Sequence, residues 1–163
     1  MLHHPVRGKL ARDKADPFTH YLGEPQVYRK VLTDFPELRI CLAHFGGNND
    51  WDLYLDQEWD PDEPDRENTS WVADIVDLMR EFPNLYTDIS YTAFASDRYF
   101  PLLSIFLDDD SIKGRIMFGS DYYMIEREKA SEREMSMKIR YALGREKFEM
   151  ISDANVLRYL GES

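Results

Sequence analysis

Apolar residues recur at helical spacing in two parts of this chain, and both stretches end in the same short pattern. Trp71, Ile75, Leu78 and Phe82 lie three or four residues apart, and Val72, Val76 and Met79 widen the stripe. That spacing predicts a helix with one buried face. Earlier, Val27, Val31 and Leu32 form a shorter stripe behind Gly23-Glu24-Pro25, where proline suits the first turn of a helix. Asp34-Phe35-Pro36-Glu37-Leu38 follows the first stripe, and Glu81-Phe82-Pro83-Asn84-Leu85 follows the second. Proline cannot continue a helix, and it pushes the residue before it out of the α region. Each copy therefore marks a helix ending and a strand beginning.

Three apolar runs bounded by turn residues read as buried strands: Leu38–Phe45, Leu85–Ser90 and Arg115–Gly119. A third amphipathic stretch, Tyr99–Leu107, separates the second from the third. After them comes a long helical segment, about Glu126–Leu143, stopped by Gly144, and then two shorter ones. Ser152 reads as an N-cap of the last helix and Gly161 as its stop. Strands alternating with helices predict an α/β fold of three parallel βαβ units. Three units do not close a barrel, and they leave sheet edges exposed. The chain divides into a poorly patterned segment, residues 1–22, and an ordered part, residues 23–163. Asn48–Asn68 also lacks periodicity and is dense in Asp and Glu, with Trp51, Tyr54 and Trp59 interleaved. It reads as a solvated loop whose aromatics lie over a cleft. Its acidic core lacks the glycine and closing glutamate of an EF-hand.

Charge removes some classes of function. With 20 Lys and Arg against 31 Asp and Glu the net charge is -11, which disfavours a nucleic-acid partner because phosphate binding needs clustered cations. No apolar run reaches the roughly 20 residues of a membrane span, and the N-terminus has no apolar signal core. A single cysteine, Cys41, forbids an internal disulfide and fits a reducing, cytoplasmic setting.

Chemistry is expected at strand ends. His44 closes the first run at Leu42-Ala43-His44-Phe45-Gly46-Gly47, and strand alternation groups it with Ile40 and Leu42 on an inward column. Asp121 closes the third run at Phe118-Gly119-Ser120-Asp121. Ligands of α/β sheets and barrels bind at this end of the strands. The plain alternatives are a histidine bonded to loop backbone and an aspartate capping the next helix. Together, a His and an Asp at neighbouring strand ends can converge on a metal or its water. Asp88 and Ser90 close the middle run, with Asp88 able to orient a neighbouring group. His3, His4 and His20 sit in unpatterned sequence and read as surface histidines.

These motifs resemble a known family. Phe35–Gly47, ending His-Phe-Gly-Gly, is similar to the sixth-strand motif of the amidohydrolase-related proteins. These are metal-dependent (β/α)8 barrels that include aminocarboxymuconate-semialdehyde decarboxylase-like enzymes. Asn84–Ser90 resembles their seventh strand and Arg115–Asp121 their eighth. Ser152–Gly161, with Asn155 near its start, resembles their C-terminal helix. The resemblance implies a partial TIM barrel, about strands 6 to 8 with their helices. It implies that Asp121 is a metal ligand and that His44 handles a proton or ligates the metal. The metal implied is divalent, most commonly Zn2+, and the substrate a small molecule. The reaction implied is attack of activated water on an amide, ester or lactone carbonyl, or in one branch decarboxylation. The family's first-strand His-x-His pair and fifth-strand His have no counterpart here. The expectation is therefore a C-terminal part, inactive alone, that needs a missing N-terminal half or forms a homo-oligomer. A non-catalytic half-barrel interaction module is the other expectation.

Overall fold

The computed structural model describes residues 23–56, 70–92, 96–127 and 131–162. Pro25 opens a 3-10 turn, Pro25–Val27, that runs into helix α1 (Tyr28–Asp34). Strand β1 (Ile40–Leu42), a 3-10 turn at Ala43–Gly46 and helix α2 (Asn48–Asp56) follow. Next come helix α3 (Trp71–Glu81), strand β2 (Leu85–Asp88) and helix α4 (Tyr99–Phe106). A 3-10 turn at Lys113–Arg115 leads into strand β3 (Ile116–Met117). Helices α5 (Tyr122–Arg127), α6 (Glu132–Glu149) and α7 (Asn155–Leu160) complete the chain, with a π-helical turn, Met150–Ala154, joining the last two.

The two Phe-Pro segments behave alike. Phe35 N–H closes α1 on Val31 O at 2.9 Å, and Phe82 N–H closes α3 on Leu78 O at 2.8 Å. Leu38 and Leu85 then each bond back to the phenylalanine carbonyl before the strand starts. The copies also meet in space, because the Asn84 side chain donates to Pro36 O at 2.6 Å.

All three strands are parallel, in the order β1-β2-β3. Register places Ile40 beside Leu85, and Leu42 beside Thr87, which in turn pairs with Ile116. These residues form the face turned to the helices, where Leu85 and Ile116 pack with Val72, Leu78, Met79 and Leu103 in the core. Cys41, Tyr86, Asp88 and Met117 alternate onto the other face, and there Tyr86 meets the Tyr159 ring of α7 edge-on at 5.0 Å. Asn155 is buried and fastens α7 to the entry of β3 by donating to Lys113 O and Ile116 O at 2.8 and 2.7 Å.

Four expectations need correction. The strands are shorter than their apolar runs, and the first stops at Leu42 because the chain coils at Ala43–Gly46. Alternation therefore does not reach His44, and Ile40 and Leu42 pack on the helical core together with Phe45. Secondly, Asn48–Asp56 is helix, with Trp51 fully buried and Tyr54 and Leu55 against the core. Trp51, Tyr54 and Leu55 have i, i+3, i+4 spacing, which the surrounding acids masked. Trp59 lies outside the described residues. Thirdly, Ser152 sits inside the π-helical turn and caps nothing. Finally, the long helix begins only at Glu132; Gly144, with φ 77° and ψ 168°, does interrupt it as expected, and a second helical stretch follows the kink to Glu149. Gly161, with φ 81°, does stop α7. Among the described residues no helix is long and apolar enough to cross a membrane.

Gly46 offers a sharp test of this packing. It has φ +88°, and a Cβ there would lie 3.1 Å from Val72 N and 3.2 Å from Trp71 Cβ. Gly47 has φ +82° but open space around it. Gly46→Ala is expected to cost about 2–3 kcal/mol, combining backbone strain with a clash against α3. Gly47→Ala should cost only about 1 kcal/mol of strain. Urea denaturation of both variants measures the difference.

Candidate functional site

The three strands deliver their C-terminal ends side by side, and each is followed by a residue in left-handed conformation. His44 has φ 63° and Phe45 φ 46° after β1, Tyr91 φ 58° after β2, and Asp121 φ 50° after β3. Non-glycine residues avoid this region, at a cost of roughly 1–3 kcal/mol each, and such strain collects at functional sites.

Around His44 the strain is held by named bonds. Its backbone N–H donates to Asp88 Oδ1 at 3.1 Å, and its carbonyl accepts the Thr92 hydroxyl at 2.6 Å. The Phe45 carbonyl accepts the Trp51 indole N–H at 2.9 Å, and the Phe45 ring is fully buried. So β1 ends in a fixed kink that aims the half-buried imidazole back over the end of β2. There Nδ1 lies 2.8 Å from Ser90 O and 3.2 Å from Ser90 Oγ. A carbonyl oxygen only accepts, so Nδ1 carries a proton, and in the neutral ring the lone pair is on Nε2.

Asp88 anchors this arrangement. Beyond the His44 amide, its Oδ1 accepts Ser90 N–H at 3.0 Å and the Ser90 hydroxyl as well. Its Oδ2 accepts the Cys41 thiol at 3.6 Å. The carboxylate thus fixes Ser90, and Ser90 fixes the His44 ring. Gly119 permits β3 to come close, since a Cβ there would stand 3.0 Å from Ser90 Cβ. Two residues on, the Asp121 backbone carbonyl accepts the first amides of α5, from Met124 at 2.9 Å and Ile125 at 3.2 Å. Its carboxylate makes no hydrogen bond among the described residues, so the capping role falls to the backbone.

Cys41 shares its environment with Asp88. Burial first, then the Asp88 charge and hydrogen bond, push its thiol from 9.0 to about 12. At pH 8 it should resist iodoacetamide, and Asp88→Asn should speed the labelling. Between pH 9 and 12 the unfolded chain loses this proton while the folded chain keeps it. Stability is therefore expected to fall with rising pH across that window, as a pH series of urea midpoints for wild type against Cys41→Ala would show.

A cavity of about 510 Å³ opens beside His44. Its wall includes Leu42, Trp71, Ile75, Asn48 and Thr92, and does not include Asp121. Asn48 and Thr92 were not foreseen as site residues. Asn48 follows the glycine pair directly, and that was the available signal.

A family model described as amidohydrolase matches residues 23–158. The chain belongs to the amidohydrolase family. The search of curated proteins returned no match, and neither did the search of solved structures. Membership makes this chain part of a family of hydrolases that generally use divalent metals. Its α/β architecture with parallel strands agrees with the family. The side chains described do not fit a whole metal centre. Among the described residues no group of three or more His, Cys, Asp or Glu stands close enough to hold an ion. His44 Nε2 and the Asp121 carboxylate are two free donors, whereas a catalytic zinc takes three protein ligands. His3, His4 and His20 lie outside the described residues.

Proposed function

We propose that this chain supplies the strand-end half of an amidohydrolase site that cleaves an amide, ester or lactone. Strands β1 to β3 stand as the sixth to eighth strands of a (β/α)8 barrel. The carrying observation is the His44 ring: Nδ1 is held by Ser90 O at 2.8 Å, and the residue lines the cavity. That tautomer leaves Nε2 as the group that takes a proton from the attacking water and returns it to the leaving atom. Asp121, with a carboxylate not spent on capping α5, is one ligand of the family's divalent metal, zinc by resemblance. The remaining ligands come from polypeptide outside the described residues.

The test is an assay of the purified chain with zinc and a panel of aryl amides, esters and lactones. It is repeated after adding the N-terminal half of a family member that carries His-x-His. Turnover is expected only in the mixture. Turnover by the chain alone would show that its own residues complete the site. A mixture that stays inert, together with a discrete oligomer in size-exclusion chromatography, would replace this reading with an interaction module.

A further inference from the structure

Helix α6 carries a second apolar stripe on the side away from the core. Met135, Ile139 and Leu143 recur every four residues and are buried in the core. Met137 and Tyr141 follow Met135 and Ile139 by two residues, about 200° round the helix, and they are 63% and 93% exposed. With Ser131, Arg133, Glu134 and Lys138 they line a groove of about 500 Å³. Large apolar side chains exposed together mark a surface that meets another molecule. The rest of a barrel would join at the open strand edges, β1 and β3, and flank α6 from the side, whereas this face points straight away from the core. The charges name the occupant. Glu134 and Lys138 stand one turn apart, and neither side chain forms an ion pair among the described residues. The chain has a net charge of -11, yet this groove sets Arg133 and Lys138 against Glu134, so two copies do not repel one another here. Antiparallel pairing of two such helices brings Glu134 of each copy beside Lys138 of the other, twice by symmetry, with Met137 near the axis. Parallel pairing would oppose Glu134 to Glu134 and Lys138 to Lys138, and like charges set against each other are unfavourable.

We propose that the outward face of α6 is a homodimer contact, in which two copies pair antiparallel through Met137 and Tyr141 and are held in register by reciprocal Glu134–Lys138 ion pairs. The groove shares no residue with the cavity beside His44, so the contact leaves the strand-end site free and stands independently of the hydrolase reading.

Sedimentation velocity of the full chain from about 10 µM to 1 mM tests it, a range suited to a contact smaller than a standard interface. The mass should rise toward twice that of the chain. M137E, which would bury a carboxylate near the axis, should stay monomeric throughout. E134K and K138E each turn two attractive contacts into two repulsive ones and should weaken association about tenfold or more. An equimolar mixture of E134K and K138E should regain wild-type association, because opposite charges then meet at both contacts. That rescue also shows both variants to be folded. A wild-type chain that is monomeric at the highest concentration, a dimer that tolerates M137E, single charge variants that associate like wild type, or a mixture without rescue would each overturn the proposal. A monomeric chain whose complementation by the N-terminal half is weakened by M137E would give the face to that half and overturn it too. Turnover in the reconstitution assay is read separately. M137E should complement as well as wild type, so a dimer that behaves as expected beside an inert mixture sinks the hydrolase reading alone.

Discussion

His44→Gln is expected to lower turnover of the reconstituted enzyme by roughly 10²–10⁴-fold, the range typical of a lost general acid–base group. The expectation follows from the ring's connections. Nδ1 donates to Ser90 O at 2.8 Å, which leaves Nε2 the only basic atom of the ring. Glutamine can keep a donor toward Ser90 but has no group that exchanges protons near neutral pH. Folding should change little, because the strained backbone at residue 44 is held by Asp88 Oδ1 and the Thr92 hydroxyl, whatever the side chain. Ser90→Ala is the informative companion. It removes the 3.2 Å side-chain contact and the hydroxyl bond to Asp88 but keeps the backbone carbonyl on Nδ1. Its loss should stay below about tenfold, the value of one weak positioning hydrogen bond. Steady-state kinetics of the two variants decides the matter: if H44Q retains wild-type kcat, the proton is handled elsewhere.

Trp51→Ala should be the most damaging core substitution, at about 3–5 kcal/mol. The indole is 1% exposed and lies 5.5, 5.4 and 5.9 Å from the rings of Phe45, Tyr99 and Phe106. Removing it opens a large void at the junction of α2, α4 and the kink after β1. It also strands the Phe45 carbonyl, which loses its 2.9 Å bond from the indole N–H. A domain holds only about 5–15 kcal/mol in total, so a change of this size brings the chain close to unfolding at ambient temperature. Trp51→Phe restores most of the ring packing and leaves the carbonyl unpaired, for an expected cost of about 1–3 kcal/mol. Urea midpoints for the series separate packing from the hydrogen bond. Because Phe45 follows His44 directly, both variants should also disturb the imidazole more than their distance along the chain suggests.

Asp50 shows how the acidic segment deceives. It is one carboxylate among many in a stretch that reads as solvated, yet it is buried and accepts the first amide of α3, Trp71 N–H, at 2.8 Å. Ser70 caps the same helix by accepting Ala73 N–H at 3.2 Å. Asp52 and Asp56 hold Arg98, and Asp52 also accepts the Tyr99 hydroxyl at 2.9 Å, which ties α2 to α4. Burial and that bond push the Tyr99 phenol above its ordinary value. Each of these partners is distant along the chain, so the run of acids looks the same whether it is solvated or engaged.

By itself the sequence determined the alternation of helices and strands. Proline geometry at Phe35-Pro36 and Phe82-Pro83, the wide stripe of α3 and the stop at Gly161 are local effects, legible from neighbouring residues. It also placed His44, Asp88 and Asp121 at strand ends, and its motifs pointed to the amidohydrolase family. Only the tertiary structure decided how those groups are used. The kink that aims His44 exists because Asp88, Thr92 and Trp51 hold two successive residues in a conformation their own chemistry disfavours. The tautomer of His44 depends on a carbonyl from the turn after β2, and the cavity beside His44 lies between elements that meet only on folding. Local pattern sets which element forms; long-range bonds set what its end can do.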